Sequence, residues 1–91
     1  MPKIRFSNAS DDLLRLWTEP IPEDYWMRPG DAFTIAYDDN DFEESVLGDA
    51  HFDVSWNDEG VTVWLGTTAP PDVYDQSGTR LECGHQRPKP E

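Results

Sequence analysis

Residues 51–66 read HFDVSWNDEGVTVWLG, and this stretch decides the fold class. Phe52, Val54 and Trp56 alternate with Asp53 and Ser55, and Val61, Val63 and Leu65 alternate with Thr62 and Trp64. A period of two puts each apolar set on one face of an extended strand. Asn57 to Gly60 supplies a short loop with glycine where a left-handed backbone is needed, so the stretch is a β-hairpin. Its apolar faces, Phe52 and Trp56 included, are expected in the core.

Similar signals extend outward in both directions. KIRFSN alternates Ile4 and Phe6 against Lys3 and Arg5, and NASDD is turn chemistry. LLRLWTE is a second strand with Leu14 and Leu16 inward and Leu13, Arg15 and Trp17 outward. Pro20 and Pro22 end it, because proline cannot donate to a ladder. Pro29-Gly30 fits a type II turn in front of AFTIAYD, which puts Phe33, Ile35 and Tyr37 on one face. Tyr25 and Trp26 are expected in the loop before that turn. Asp41 with Glu44 resembles a capping box, so 41–47 is a short helix or an acidic loop. Near the C-terminus, Val73–Asp75, a Ser77-Gly78 turn, and inward Leu81 and Cys83 read as a second hairpin.

Six or seven short strands with turn signals every ~8–12 residues predict an all-β domain, an antiparallel β-sandwich, over 1–86. Residues 87–91 are expected as a disordered tail. A 91-residue chain buries about 64% of its unfolded surface, enough for one modest core but little room for a deep cavity. The one cysteine excludes an internal disulfide, and no stretch approaches a membrane span, so a cytoplasmic protein is expected.

The formal net charge is −12. Between Pro29 and Thr79 there is no Lys or Arg but there are twelve acids, and outside that stretch seven acids meet seven bases. A one-sided acidic field disfavours phosphate contacts and anionic membranes, which need clustered Lys and Arg. It suits a basic protein surface, and acids that imitate phosphate spacing could also block a DNA-binding protein. No direct nucleic-acid binding is expected.

The run FSNASDDLLRLWTEPIPEDYWMRPGDAF, Phe6–Phe33, carries Phe6-x-Asn8-x-Ser10, Leu14-x-Leu16-Trp17, Glu19-Pro20 and Pro29-Gly30-Asp31. It resembles a pattern of small, uncharacterised bacterial proteins, and its opening is loosely similar to the β-domain of the von Hippel-Lindau protein. The resemblance implies a β-sandwich, and the second likeness a binding module. It implies no catalytic residue.

Candidate chemistry is sparse. Cys83-Gly84-His85 places a thiol near an imidazole, but His51 is the one further histidine and a zinc site wants three or four ligands. Asp39-Asn40-Asp41-Phe42-Glu43 opens like an EF-hand loop. It lacks the glycine at position six, where Glu44 stands, and the acid at position twelve, where Ala50 stands. There is no Gly-rich phosphate loop and no Gly-x-Ser-x-Gly elbow, so no catalytic residue, metal or cofactor is assigned. The expectation is a non-catalytic interaction module of inhibitor, immunity or adaptor type. Its contacts would come from Tyr25, Trp26, Trp17 and Trp64 and from Asp38, Asp39, Asp41, Glu43 and Glu44. The alternative is a small-ligand or metal-binding domain that uses the acidic loop or Cys83 and His85.

Overall fold

A computed structural model describes residues 1–38 and 50–90. Seven strands follow in order: β1 (Lys3–Ser7), β2 (Leu14–Glu19), β3 (Glu23–Met27), β4 (Ala32–Ala36), β5 (Phe52–Asn57), β6 (Gly60–Leu65) and β7 (Asp72–Tyr74). They form a three-stranded sheet, β1-β4-β7, and a four-stranded sheet, β3-β2-β6-β5. The fold is all-β. Among the described residues there is no helix, and so none long and apolar enough to cross a membrane. The expected helix or acidic loop at 41–47 lies outside the described residues, as do Asp39, Asp41, Glu43 and Glu44.

Two features depart from the sequence reading. First, Pro20 and Pro22 do not lead into a loop ending at Pro29. Residues 20–22 reverse the chain tightly, and EDYWM pairs antiparallel with β2, with Leu16 opposite Tyr25 and Arg15 opposite Trp26. Sheet pairing overrides the poor strand signal of a segment framed by prolines. The crossing between sheets falls at the Pro29-Gly30 turn, closed by Asp31 N–H to Arg28 C=O at 2.9 Å with Gly30 at φ 87°. Second, the sheets are not wholly antiparallel. β2 pairs in parallel with β6, from Arg15 opposite Gly60 to Glu19 opposite Trp64.

One apolar cluster draws on both sheets. Leu16, Tyr25, Met27, Val61, Val63 and Leu65 come from the four-stranded sheet, and Phe33, Ile35 and Val73 from the three-stranded one. Leu16, Ile35 and Val63 are wholly buried, and Ile4 and Phe6 pack against the cluster at its margin. Alternation in β1, β2 and β6 therefore translates into inner and outer faces, whereas β4, the middle strand of its sheet, buries Ala32 and Ala36 as well as Phe33 and Ile35. In β5 alternation does not translate into burial: Phe52 is 39% and Trp56 74% exposed, against the expectation that both are core. The cluster reaches this strand only through Val54.

A buried asparagine ties the corners together. Asn8 is 2% exposed. Its Nδ2 donates to Asp12 C=O and Met27 C=O, both at 2.8 Å, and its Oδ1 accepts from Ser10 N–H at 3.0 Å and Ser10 Oγ–H at 2.7 Å. Its backbone N–H donates to Asp31 C=O and its C=O accepts from Gly30 N–H, each at 2.9 Å. The turn after β1, the end of β3 and the Pro29-Gly30 crossing thus meet at one residue, the first two through its side chain and the last through its backbone.

At the C-terminal side, Leu81 N–H bonds Val73 C=O at 2.7 Å and Leu81 is buried, as the hairpin reading requires. Cys83 is exposed rather than inward. The chain turns at Gly84 and runs along the free edge of β3, with Trp26 N–H to His85 C=O at 2.8 Å. Packing continues to Arg87, one residue past the expected boundary at 86.

Two substitutions test this frame by urea denaturation. Asn8→Ala leaves buried carbonyls without donors and is expected to cost about 2–3 kcal/mol. A Cβ on Gly60 would lie 2.1 Å from the Arg15 carbonyl oxygen, at φ 151°. Gly60→Ala is therefore expected to cost roughly 3 kcal/mol or more, against about 1–2 kcal/mol for Gly30→Ala, whose Cβ meets open space.

Candidate functional site, a tryptophan face on the four-stranded sheet

Side chains two apart on a strand share a face, so the registers decide which outward residues meet. β2 turns Arg15, Trp17 and Glu19 outward, β3 contributes Asp24 and Trp26, β6 Thr62 and Trp64, and β5 Asp53 and Ser55. Trp26 is opposite Arg15, Trp17 is opposite Asp24 and Thr62, and Trp64 is opposite Glu19 and Asp53. The three indoles therefore step diagonally across three neighbouring strands. Diagonal neighbours are about 7–8 Å apart, within reach of large aromatic side chains. All three are half-buried.

Each strand holds its indole with a carboxylate two residues away. Trp17 Nε1–H donates to Glu19 Oε1 at 2.9 Å, and Trp26 Nε1–H donates to Asp24 Oδ2 at 2.8 Å. The Arg15 guanidinium lies 5.0 Å from the Trp17 ring centroid and makes an ion pair with Glu59 at 2.9 Å. Its charge is thus spent within the chain. Around the indoles the face carries Glu19, Asp24, Asp53 and Glu59, and the cations that meet these acids, Arg15 on Glu59 and Arg87 on Asp24, are both held in ion pairs within the chain.

The C-terminal segment fixes one margin of this face. Arg87 grips both carboxylate oxygens of Asp24, with Nε to Oδ2 at 2.7 Å and Nη2 to Oδ1. Gln86 Nε2 donates to Trp26 C=O at 2.7 Å and to Asp31 Oδ2 at 2.9 Å. The Arg87 guanidinium holds the Asp24 carboxyl far below the usual carboxylate range, against the opposing push of burial. Burial also pushes Asp31 upward, but hydrogen bonds from Gln86 and the Arg28 N–H outweigh it and leave that group lowered. Burial is the main cause that pushes the Tyr25 phenol above its ordinary value.

Of the residues proposed from sequence, Trp17, Trp26 and Trp64 come together here. Tyr25 does not. It is 3% exposed and faces the core, because the strand that turns Trp26 outward must turn its neighbour inward. Asp38 follows β4 at the end of the other sheet and is half-buried. Cys83 and His85 diverge: the thiol lies 3.5 Å from Asp24 Oδ1, and the imidazole packs edge-on against Phe33 with centroids 5.6 Å apart. Among the described residues no group of three or more His, Cys, Asp or Glu is placed to hold a metal. An open groove of about 440 Å³ lies on the three-stranded sheet, lined by Lys3, Arg5, Thr34 and Tyr74, away from the indoles.

Sequence reasoning missed the strap 84–87 and the role of Asp24. The signal was present in two small patterns, Trp17-x-Glu19 and Asp24-x-Trp26, each of which pairs an indole donor with an acceptor on the same strand face. No family model, curated protein or solved structure matches the chain.

The lowered Asp24 pKa has a pH consequence. An unfolded aspartate titrates at about 3.9, so the strap's contribution is complete above that pH and is lost as pH falls through and below it. Arg87→Ala is expected to lower the urea midpoint at pH 7 and to flatten its decline between about pH 4 and pH 2, measured across a pH series.

Proposed function

We propose that the protein is a non-catalytic interaction module, a small β-sandwich whose tryptophan face receives a basic protein partner. One observation supports this above the others. Three tryptophans placed out of phase with their strands' apolar faces share one outward surface, flanked by carboxylates. Trp is enriched among residues that dominate binding energy, and half-buried indoles lose little freedom on docking. Glu19 and Asp24 hold two of them in place, so the surface is ordered before a partner arrives.

The charge selects the sign of the partner. A net charge of −12 steers cationic surfaces inward and repels anionic ones. The groove at Lys3 and Arg5 lies on the other sheet and does not offset this at the indoles. An exposed unpaired thiol at Cys83 fits a reducing compartment such as the cytoplasm.

The protein immobilised at low salt is expected to retain a basic protein from lysate of its host and to release it along a salt gradient. Trp17→Ala and Trp64→Ala are each expected to weaken that complex by roughly tenfold or more in titration calorimetry. A complex indifferent to both substitutions and to salt would exclude this face as the contact.

A further inference from the structure

We propose that the outer edge of β5, unpaired among the described residues, accepts an extended, Lys- or Arg-bearing segment of the basic partner as an added strand. The proposal rests on the interaction-module reading and names how the partner docks.

The two edges of the four-stranded sheet are treated differently. At β3 the C-terminal strap occupies the edge, with Trp26 N–H bonded to His85 C=O and Gly84 N–H to Asp24 C=O. At β5 nothing among the described residues pairs with the outer edge. An unpaired row of N–H and C=O groups is a template for another strand.

The side chains of β5 match this use. Phe52, Val54 and Trp56 share the face that β6 turns to the core, yet Trp56 is 74% exposed and Phe52 39%. The Phe52 ring is held edge-on to Tyr37, with centroids 6.4 Å apart. An added strand would continue the sheet and cover Trp56 and Phe52 with its own inward side chains. Its outward side chains would lie beside Asp53 and Ser55.

Charge picks the occupant. Exposed apolar edges are commonly guarded by lysine, proline or a bulge, and FDVSWN has no lysine and no proline. Asp53 lies on the strand and Asp58 and Glu59 at its turn, and of these three only Glu59 has an ion pair among the described residues. A second copy laid edge to edge would bring these acids against their own kind. A cationic strand would meet opposite charge along the same row. The acids thus refuse a second copy of the chain and admit a basic one.

The test uses the isotope-labelled full chain and a capped synthetic peptide alternating lysine and valine, with the glutamate–valine peptide as control. Two-dimensional NMR and amide exchange are read at low salt. The lysine peptide is expected to shift β5 resonances and slow exchange of β5 amides, and the glutamate peptide to do neither. Trp56→Lys is expected to weaken the β5 response at least tenfold, and Lys3→Ala, on β1 of the other sheet, to leave it within about twofold. Shifts confined to Trp17, Trp26 and Trp64 would overturn the edge proposal and leave the module reading standing. No response to either peptide would count against both, and self-association of the free chain through β5 in sedimentation would overturn the choice of occupant.

Discussion

The four hydrogen bonds of the Asn8 side chain are the constraint on which the rest of the arrangement hangs. A buried amide has two donors and an acceptor with two lone pairs, and here every one is used. Its backbone adds two bonds to the Pro29-Gly30 turn. β1 leaves one sheet at this point, β2 and β3 belong to the other, and β4 returns to the first. Without a polar hub, three chain reversals would leave carbonyls such as Met27 C=O buried and unpaired. The outward face of β2 and β3 inherits its geometry from this corner, because Asn8 holds the last residue of β3 and the turn that leads into β2.

The tryptophan face then follows from register. β2 meets β3 antiparallel and β6 parallel, and those two pairings step Trp26, Trp17 and Trp64 across the sheet. The parallel pairing needs the close backbone approach at Gly60 and Arg15, which leaves no room for a side chain. One glycine therefore supports the site from below without touching it. The strap supports it from the side: Arg87 on Asp24 and Gln86 on Trp26 convert a bare sheet edge into an ordered margin.

The same sheet ends differently at β5. A three-stranded sheet is one strand narrower than a four-stranded one, a difference of about 4.8 Å. The shared core reaches β5 only through Val54, and Phe52 and Trp56 are left at the margin. An apolar pattern without cover is where a local rule and the global fold disagree, and such places tend to be functional. Among the described residues the outer edge of β5 has no strand beside it, and its hairpin carries Asp53, Asp58 and Glu59.

Much of this was legible in the residues. The alternation of Ile4 and Phe6, Phe33 and Ile35, and Val61, Val63 and Leu65, with Leu16 on β2, determined the strands and their inward faces, because side-chain direction on a strand has a period of two whatever lies beyond it. Pro29-Gly30 determined the turn, and the outward phase of Trp17 and Trp64 marked two residues of the candidate site. Tertiary structure alone decided the rest. Periodicity says which residues share a face but not whether another layer covers it, so Trp56 reads as core and is open. It does not reveal which strand lies alongside, so the parallel β2–β6 pair was invisible, and EDYWM, framed by prolines, read as a loop until β2 offered it a partner. Arg87 reads as tail chemistry because its attraction to Asp24 spans 63 residues, and no local pattern encodes a contact that only the folded chain brings within hydrogen-bond distance.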